Sequence, residues 1–237
     1  LRFAKPQRDK VARRSYRENW WKFAERQTSM LNAIDGKDRV VALAATSPYA
    51  MPNFVDTSAV LCHALVVFAT DDVGMLGLLS STLHRQWIDR YCSTIKSDVR
   101  YTPSSGFVTF PLPPPSEGLT RSARSLYEWR AAKMDSMQLG LTDLYSRYHS
   151  PSWSDAATNE LRERHLDLER AVCGAYGWTD VDISHDFRHS RYGQFFTLGT
   201  SSSFELLLRL LHLNLEQVAL QTGRTAESVK REARRHV

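Results

Sequence analysis

Five residues, Pro111-Leu-Pro-Pro-Pro115, constrain this 237-residue chain more than any other stretch. Proline fixes φ and pushes the preceding residue out of the helical region. A run of this kind is therefore a stiff, extended spacer that no helix or central strand crosses. The sequence changes texture on its two sides, which predicts a mixed strand/helix domain over about 1–113 and an all-α helical domain over about 118–237. The fold class is α+β.

On the N-terminal side, residues 39–45 and 59–69 are short Val-rich apolar runs bounded by Asp-Gly, Pro and Asp-Asp signals. Both read as strands, paired around a loop holding Pro48 and Pro52. Leu76, Leu79, Leu83, Trp87 and Tyr91 then recur at spacings of three and four, an amphipathic helix over 73–92 packed on those strands. Val99–Thr102 and Phe107–Phe110 read as two further strands around a turn at Pro103-Ser-Ser-Gly106.

Beyond the prolines the period is helical. One stripe runs through Leu119, Ala123, Leu126, Arg130 (by its stem alone), Met134 and Met137. Gly140-Leu-Thr142 is a stop and a new cap. A second helix spans Ser154–Ala175, with Leu161, Leu168, Val172 and Ala175 on its apolar side, and Gly177-Trp178 ends it. A third spans Ser203–Leu220 with Phe204, Leu207, Leu208, Leu211 and Leu215 facing inward. Thr225 caps a last helix ending at His236.

Composition excludes several classes. With 42% hydrophobic and 24% charged residues, the chain is neither collagen-like, wholly disordered nor a disulfide scaffold. The longest apolar stretch, Ala59–Ala69, is broken by His63 and is far short of the roughly 20 residues a membrane span needs. The chain begins at Leu1, as a segment of a longer or processed polypeptide would, and no secretory leader pattern is visible. Cys62, Cys92 and Cys173 are few and widely spaced, which reads as buried thiols in a reducing cytoplasm.

The net charge of +5 is unevenly spread, with residues 1–26 carrying nine Lys/Arg against three acids. Arg2, Lys5, Arg8, Lys10, Arg13, Arg14 and Arg17 lead into Trp20, Trp21, Lys22 and Phe23, a basic run beside aromatics of the kind that suits a polyanion. A second cluster, Lys230, Arg231, Arg234 and Arg235, suits a helix C-terminus.

Motifs for chemistry are mostly absent. Gly74-Met-Leu-Gly77 lacks a third glycine and lies in a helical pattern. Ser47-Pro48-Tyr49 lacks the polar first residue of an adenine methyltransferase motif. Asp35-Gly36-Lys37 is half of a nuclease metal site, without the second carboxylate. His185 and His189, four apart, have the spacing to share a helix face with a metal, but beside Arg188 and Arg191 they read more readily as surface or hydrogen-bonded side chains, and no metal is expected.

Several stretches in order resemble one family: Arg17-Glu-Asn-Trp-Trp-Lys-Phe23; Ala33-Ile-Asp-Gly-Lys-Asp-Arg-Val40; Leu79-Ser-Ser-Thr-Leu-His-Arg-Gln-Trp87; and Lys96-Ser-Asp-Val-Arg-Tyr-Thr-Pro-Ser104, continuing to Phe107-Val-Thr-Phe-Pro111. They are similar to the target recognition domain of MmeI-like, type IIL restriction–modification enzymes and related single-chain adenine DNA methyltransferases. Gly140-Leu-Thr-Asp-Leu-Tyr145, Leu161-Arg162 with His165, Ala171-Val-Cys-Gly-Ala-Tyr-Gly-Trp178 and His185-Asp-Phe187 resemble that family's C-terminal helical region. Where the family shows a more regular Arg-Phe-Thr-Ile segment, this chain has Gln194-Phe-Phe-Thr-Leu198.

The resemblance implies a duplex-DNA recognition segment at residues 1–113. The upstream methyltransferase domain, with S-adenosylmethionine, and in some enzymes a nuclease with a divalent metal, would lie outside this segment. It implies base readout by Lys96, Asp98 and Arg100, and phosphate contact by Arg8, Arg13, Arg14, Arg17 and Lys22. Lys donates to guanine O6/N7 while Asp accepts from the cytosine amino group. Alternate residues of an extended segment point the same way, so the three should form one row. A surface ion pair without function is the plain alternative for Lys96 and Asp98. His84 and Trp87 read as packing. Two other readings stay open: a catalytic fragment, and a protein–protein module of a defence complex whose basic ends meet an acidic partner.

Overall fold

The computed structural model describes residues 4–22, 27–190 and 193–225. The expected C-terminal helix, the cations Lys230, Arg231, Arg234 and Arg235, and Arg2 and Phe23 lie outside the described residues.

Residues up to Lys37 form one compact unit and those from Asp38 a second. The first contains three short helices, α1 (Ala4–Asp9), α2 (Arg14–Glu18) and α3 (Thr28–Ile34).

The second unit is built on β1 (Arg39–Ala44), whose Val40–Leu43 are all buried, as a continuous apolar run requires of a central strand. β1 pairs antiparallel with β3 (Asn53–Asp56) on one side and β4 (Leu65–Phe68) on the other. The run from 59 is thus a strand only in its last part. The Asp56 carboxylate accepts from the Ser58 N–H at 2.7 Å and turns the chain, leaving Cys62 exposed rather than buried.

Ala45 joins two sheets: its N–H donates to Ala64 O at 2.8 Å and its carbonyl accepts from Tyr101 N–H at 2.8 Å. The chain then enters β2 (Thr46–Ser47), the edge of a second sheet ordered β2-β6-β5, with β5 (Ser93–Ile95) and β6 (Asp98–Arg100).

The expected single helix over 73–92 is two, α4 (Val73–Ser80) and α5 (Thr82–Tyr91). Ser81 separates them. Its extended backbone breaks the helix, and its Oγ donates to Leu78 O at 2.6 Å and accepts from His84 N–H at 3.2 Å. Pro103–Gly106 forms a short helix, α6, instead of a turn, because proline at the first helical position presets φ. Phe107–Phe110 is a turn and not a strand: Thr109 Oγ1 donates to Ser105 O at 2.5 Å and Phe110 N–H to Phe107 O at 3.0 Å.

After the prolines come α7 (Glu117–Met137), α8 (Leu141–His149) and α9 (Ala156–Ala175). Ser116 caps α7 and Asp155 caps α9, while Gly177 at φ +76° ends the last turn of α9. The second half is not all-α. Between α9 and α10 (Thr200–Thr222) lies a hairpin of β7 (His185–Ser190) and β8 (Gly193–Leu198). His185 and His189 are therefore on a strand, not a helix.

The face α10 buries also differs from expectation. Leu206, Leu210 and Ala219 are buried, whereas Phe204 and Leu208 are 65% and 48% exposed. Leucine at nearly every turn position leaves the phase to be set by neighbours, and here Asn214 Nδ2 donates to Thr109 O at 2.7 Å and fixes it.

The proline segment is extended, but it does not divide two cores. Leu76 and Leu79 of α4 share one core with Leu119, Ala123 and Leu126 of α7. At Gly77 a Cβ would collide with the Cβ of Ala123, so the α4–α7 approach depends on the missing side chain. Tyr176 of α9 donates to Pro111 O at 2.6 Å. Residues on both sides of the expected 113/118 division thus pack as one unit.

Candidate nucleic-acid interface

The β5–β6 hairpin carries the three residues expected to read bases. Its register sets Ser93 opposite Arg100, Thr94 opposite Val99 and Ile95 opposite Asp98. Val99 is buried, so the period-two alternation turns Asp98 and Arg100 to the other, outward face. Cross-strand partners share that face, which adds Ile95 and Ser93, and Thr46 of β2 opposite Arg100. Thr46 and Ser93 were not singled out by sequence; β2 is too short to leave an alternation signal.

Lys96 departs from the expected row. It sits in the hairpin turn with Ser97, at φ 56°, in the left-handed region. Extended alternation stops there, so Lys96 projects from the tip while Asp98 and Arg100 share the strand. For a residue with a Cβ this conformation costs roughly 1–2 kcal/mol. Such strain is retained chiefly where a turn or a function requires it. Among the described residues, Lys96 and Asp98 form no ion pair with each other, and no hydrogen bond engages either side chain or that of Arg100. The hairpin thus presents two cations and one anion whose bonding capacity is unspent within the chain.

The hairpin is fixed from behind. Tyr101, next to Arg100, is buried and its hydroxyl donates to His84 Nε2 at 3.2 Å, while His84 Nδ1–H donates to Leu79 O at 3.2 Å. Burial pushes the His84 pKa down to about 4, so the ring is neutral and bears this tautomer. Trp87 is buried and its Nε1–H donates to Thr109 Oγ1 at 3.1 Å. His84 therefore positions the hairpin from the interior through Tyr101, and Trp87 packs in the core beside it against Phe110.

In the N-terminal unit the expected phosphate set divides. Arg17 donates to Val11 O and Ala12 O at 2.9 and 3.0 Å, closing the turn between α1 and α2. Arg14 pairs with Glu18 at 2.7 Å. Arg8 and Arg13 both lie over the Tyr16 ring, at 5.3 and 5.0 Å from its centre, and Lys22 lies 5.9 Å from that of Trp21. The charged heads of Arg8, Arg13 and Lys22 thus lie against aromatic rings, and Arg13 also donates to the Tyr16 hydroxyl at 2.8 Å.

The remaining motifs are structural. Ser47 Oγ accepts from the Tyr49 and Ala50 N–H groups, capping a turn. Gly74 and Gly77 lie buried in α4. Arg162 gathers the carbonyls that end α8, donating to Tyr148 O, Ser150 O and Trp153 O at 3.1, 2.8 and 2.9 Å. His165 is hydrogen-bonded to the Tyr145 hydroxyl at 2.8 Å. Among the described residues, no three His, Cys, Asp or Glu side chains gather as a metal site, and no helix is long and apolar enough to cross a membrane.

Comparison with curated proteins finds no match. A solved structure described as type IIL restriction–modification enzyme MmeI in complex with DNA matches with a TM-score of 0.65 at 19% identity, covering 91% of this chain. The chain spans 25% of that enzyme's length. The sequence model of the MmeI target recognition domain matches residues 4–114, which include both the basic unit and the hairpin. Residues 4–114, a little under half of the chain, are thus similar to the MmeI target recognition domain.

Proposed function

We propose that this chain is the sequence-reading part of a restriction–modification or methylation-based defence enzyme of type IIL architecture, and that it selects the site on duplex DNA at which upstream domains act. The observation that carries the reading is the outward β5–β6 face. Within a segment matching a target recognition domain, it offers Asp98 and Arg100 in one row and Lys96 at the tip, with none of them engaged internally.

Arg100 and Lys96 supply donors for guanine O6/N7 and Asp98 an acceptor for the cytosine amino group, so the hairpin suits a G·C pair in the major groove. Each good contact discriminates by about 1–3 kcal/mol. Arg8 and Lys22 carry sequence-independent phosphate contact, with smaller shares from Arg13, Arg14 and Arg17, whose groups already have internal partners. The helical half braces the recognition sheets. Transfer of a methyl group from S-adenosylmethionine, and any metal-dependent cleavage, belong to the upstream part of the polypeptide. Such an enzyme works in the bacterial cytoplasm.

The test is selection of bound duplexes from a random pool by the full chain. Lys96→Glu combined with Asp98→Arg should change the preferred base pair at one position and leave non-specific affinity nearly intact. An unchanged preference overturns the readout assignment. Affinity that does not fall with added salt overturns the phosphate role, and absence of DNA binding altogether favours the protein–protein reading.

A further inference from the structure

Within the second unit, a partly open cavity of about 240 Å³ lies among Tyr49, α5, α8 and the β7–β8 hairpin. An apolar cavity of roughly 150 Å³ takes up benzene, so this one has room for a larger substituted or fused ring. Its walls are aromatic. Tyr49 and His149 stack at 5.1 Å and 22°, and Phe195 meets both edge-on, at 6.2 and 4.6 Å. His149 is neutral: burial holds its pKa well below the ordinary value, and its Nδ1 accepts the Phe196 N–H at 3.2 Å.

Among the described residues, two polar atoms at the cavity are buried without a hydrogen-bond partner, the acceptor Gln86 Oε1 and the donor Arg188 Nε. Such groups cost about 1–3 kcal/mol each unless something answers them. An aliphatic side chain would fill the space and leave both unanswered. A nucleobase answers both, since every base offers a flat face for stacking and an edge with a donor and an acceptor. The guanidinium of Arg85, 4.9 Å from the Phe195 ring centre, also lines the cavity and is paired with Asp89 at 2.8 Å. The cavity is tied to the reading face. Arg85 donates to Pro48 O at 2.7 Å, and Pro48 directly follows β2, which pairs with Arg100 and Val99.

We infer that this cavity holds one nucleobase extruded from the DNA that the hairpin reads. The inference rests on the DNA-reading function above. The test measures binding of the full chain to a perfect duplex and to the same duplex carrying one unpaired, bulged nucleotide, with free adenosine and cytidine as competitors. The bulge removes the cost of extrusion, so it should tighten binding about fivefold or more, in line with the worth of one stacked base. Tyr49→Ala and the volume-conserving Gln86→Leu should each abolish that preference and keep the perfect-duplex affinity. Circular dichroism and a denaturation midpoint on each variant separate loss of the site from loss of the fold.

Equal affinity for both duplexes, with binding still steep in salt, overturns the cavity assignment and leaves the reading of DNA in place. Free nucleosides that bind without any bulge preference identify a soluble nucleotide as the occupant and overturn the extruded-base assignment. Binding to neither duplex overturns the DNA reading itself.

Discussion

Arg130 and Arg100 are the same side chain in opposite circumstances. Arg130 is 1% exposed and donates to Pro52 O, Asn53 Oδ1 and the Tyr145 hydroxyl at 2.9, 3.1 and 3.3 Å. It ties α7 to the segment entering β3, across the proline run. Arg100 lies on the outward face of the hairpin, and its side chain makes no hydrogen bond among the described residues. A buried charge survives only when its donors are answered. An exposed one beside Asp98 has no such requirement, and the proposed reading gives it to a ligand. The contrast separates cations that build the fold from cations held ready for a partner, a distinction that charge counts along the chain do not reveal.

The largest expected effect tests that contrast directly. Arg130→Met should lower stability by about 3 kcal/mol or more, because buried acceptors lose their donors. Arg100→Met should change stability by no more than about 0.5 kcal/mol while weakening discrimination at one base pair. Denaturant midpoints and duplex selection on both variants decide the matter, and equal stability losses would break the comparison.

A second, intermediate effect concerns the interior alone. Burial lowers His84 and His185 to about 4 and holds His149 and His165 well below their ordinary value. Between their unfolded value near 6.5 and about 4, the unfolded chain binds more protons than the folded one. Stability therefore falls as pH drops through that window. Glu169 acts in the opposite sense. Burial raises it to about 7 although it accepts the Thr82 N–H at the start of α5, so its contribution falls as pH rises from about 4.5 to 7. With four histidines against one carboxyl, the denaturation midpoint should be lower at pH 5 than at pH 7. Glu169→Gln should steepen the acid loss.

The smallest effect sharpens the hairpin side. Lys96→Gly removes a side chain from a left-handed position and should raise stability by about 1 kcal/mol or less. It should also reduce base discrimination at the position Lys96 serves. A gain in stability with selection unchanged would make Lys96 a turn residue only.

Much of this architecture was legible in the sequence. The Val-rich run became β1, and α7, α8 and α9 fall close to the stretches expected from the Leu119–Met137 stripe, the Gly140 stop and the Ser154–Ala175 helix ended at Gly177. The errors have physical causes. A polar Ser81 with a hydroxyl able to cap split one periodic stripe into two helices. The β7–β8 hairpin mixes His, Arg and Phe without clean alternation, and Gln194-Phe-Phe-Thr-Leu198 reads equally as helix. In α10 the leucines are too many to define a face. At the site, the family resemblance located Lys96, Asp98 and Arg100, and strand geometry held for the last two. The left-handed turn at Lys96 has no signal in a Lys-Ser pair, and Thr46 joins the face through a long-range pairing that local pattern does not encode.

The missing Cβ of Gly77 against Ala123 bears on how specificity can be re-engineered. A graft cut at the proline run would bring one relative's α4 against another's α7, where a single added methyl forces the two helices apart. On the proposed reading, the practical unit of exchange is the strand–turn–strand tip from Ser93 to Arg100, replaced residue by residue on an otherwise constant body.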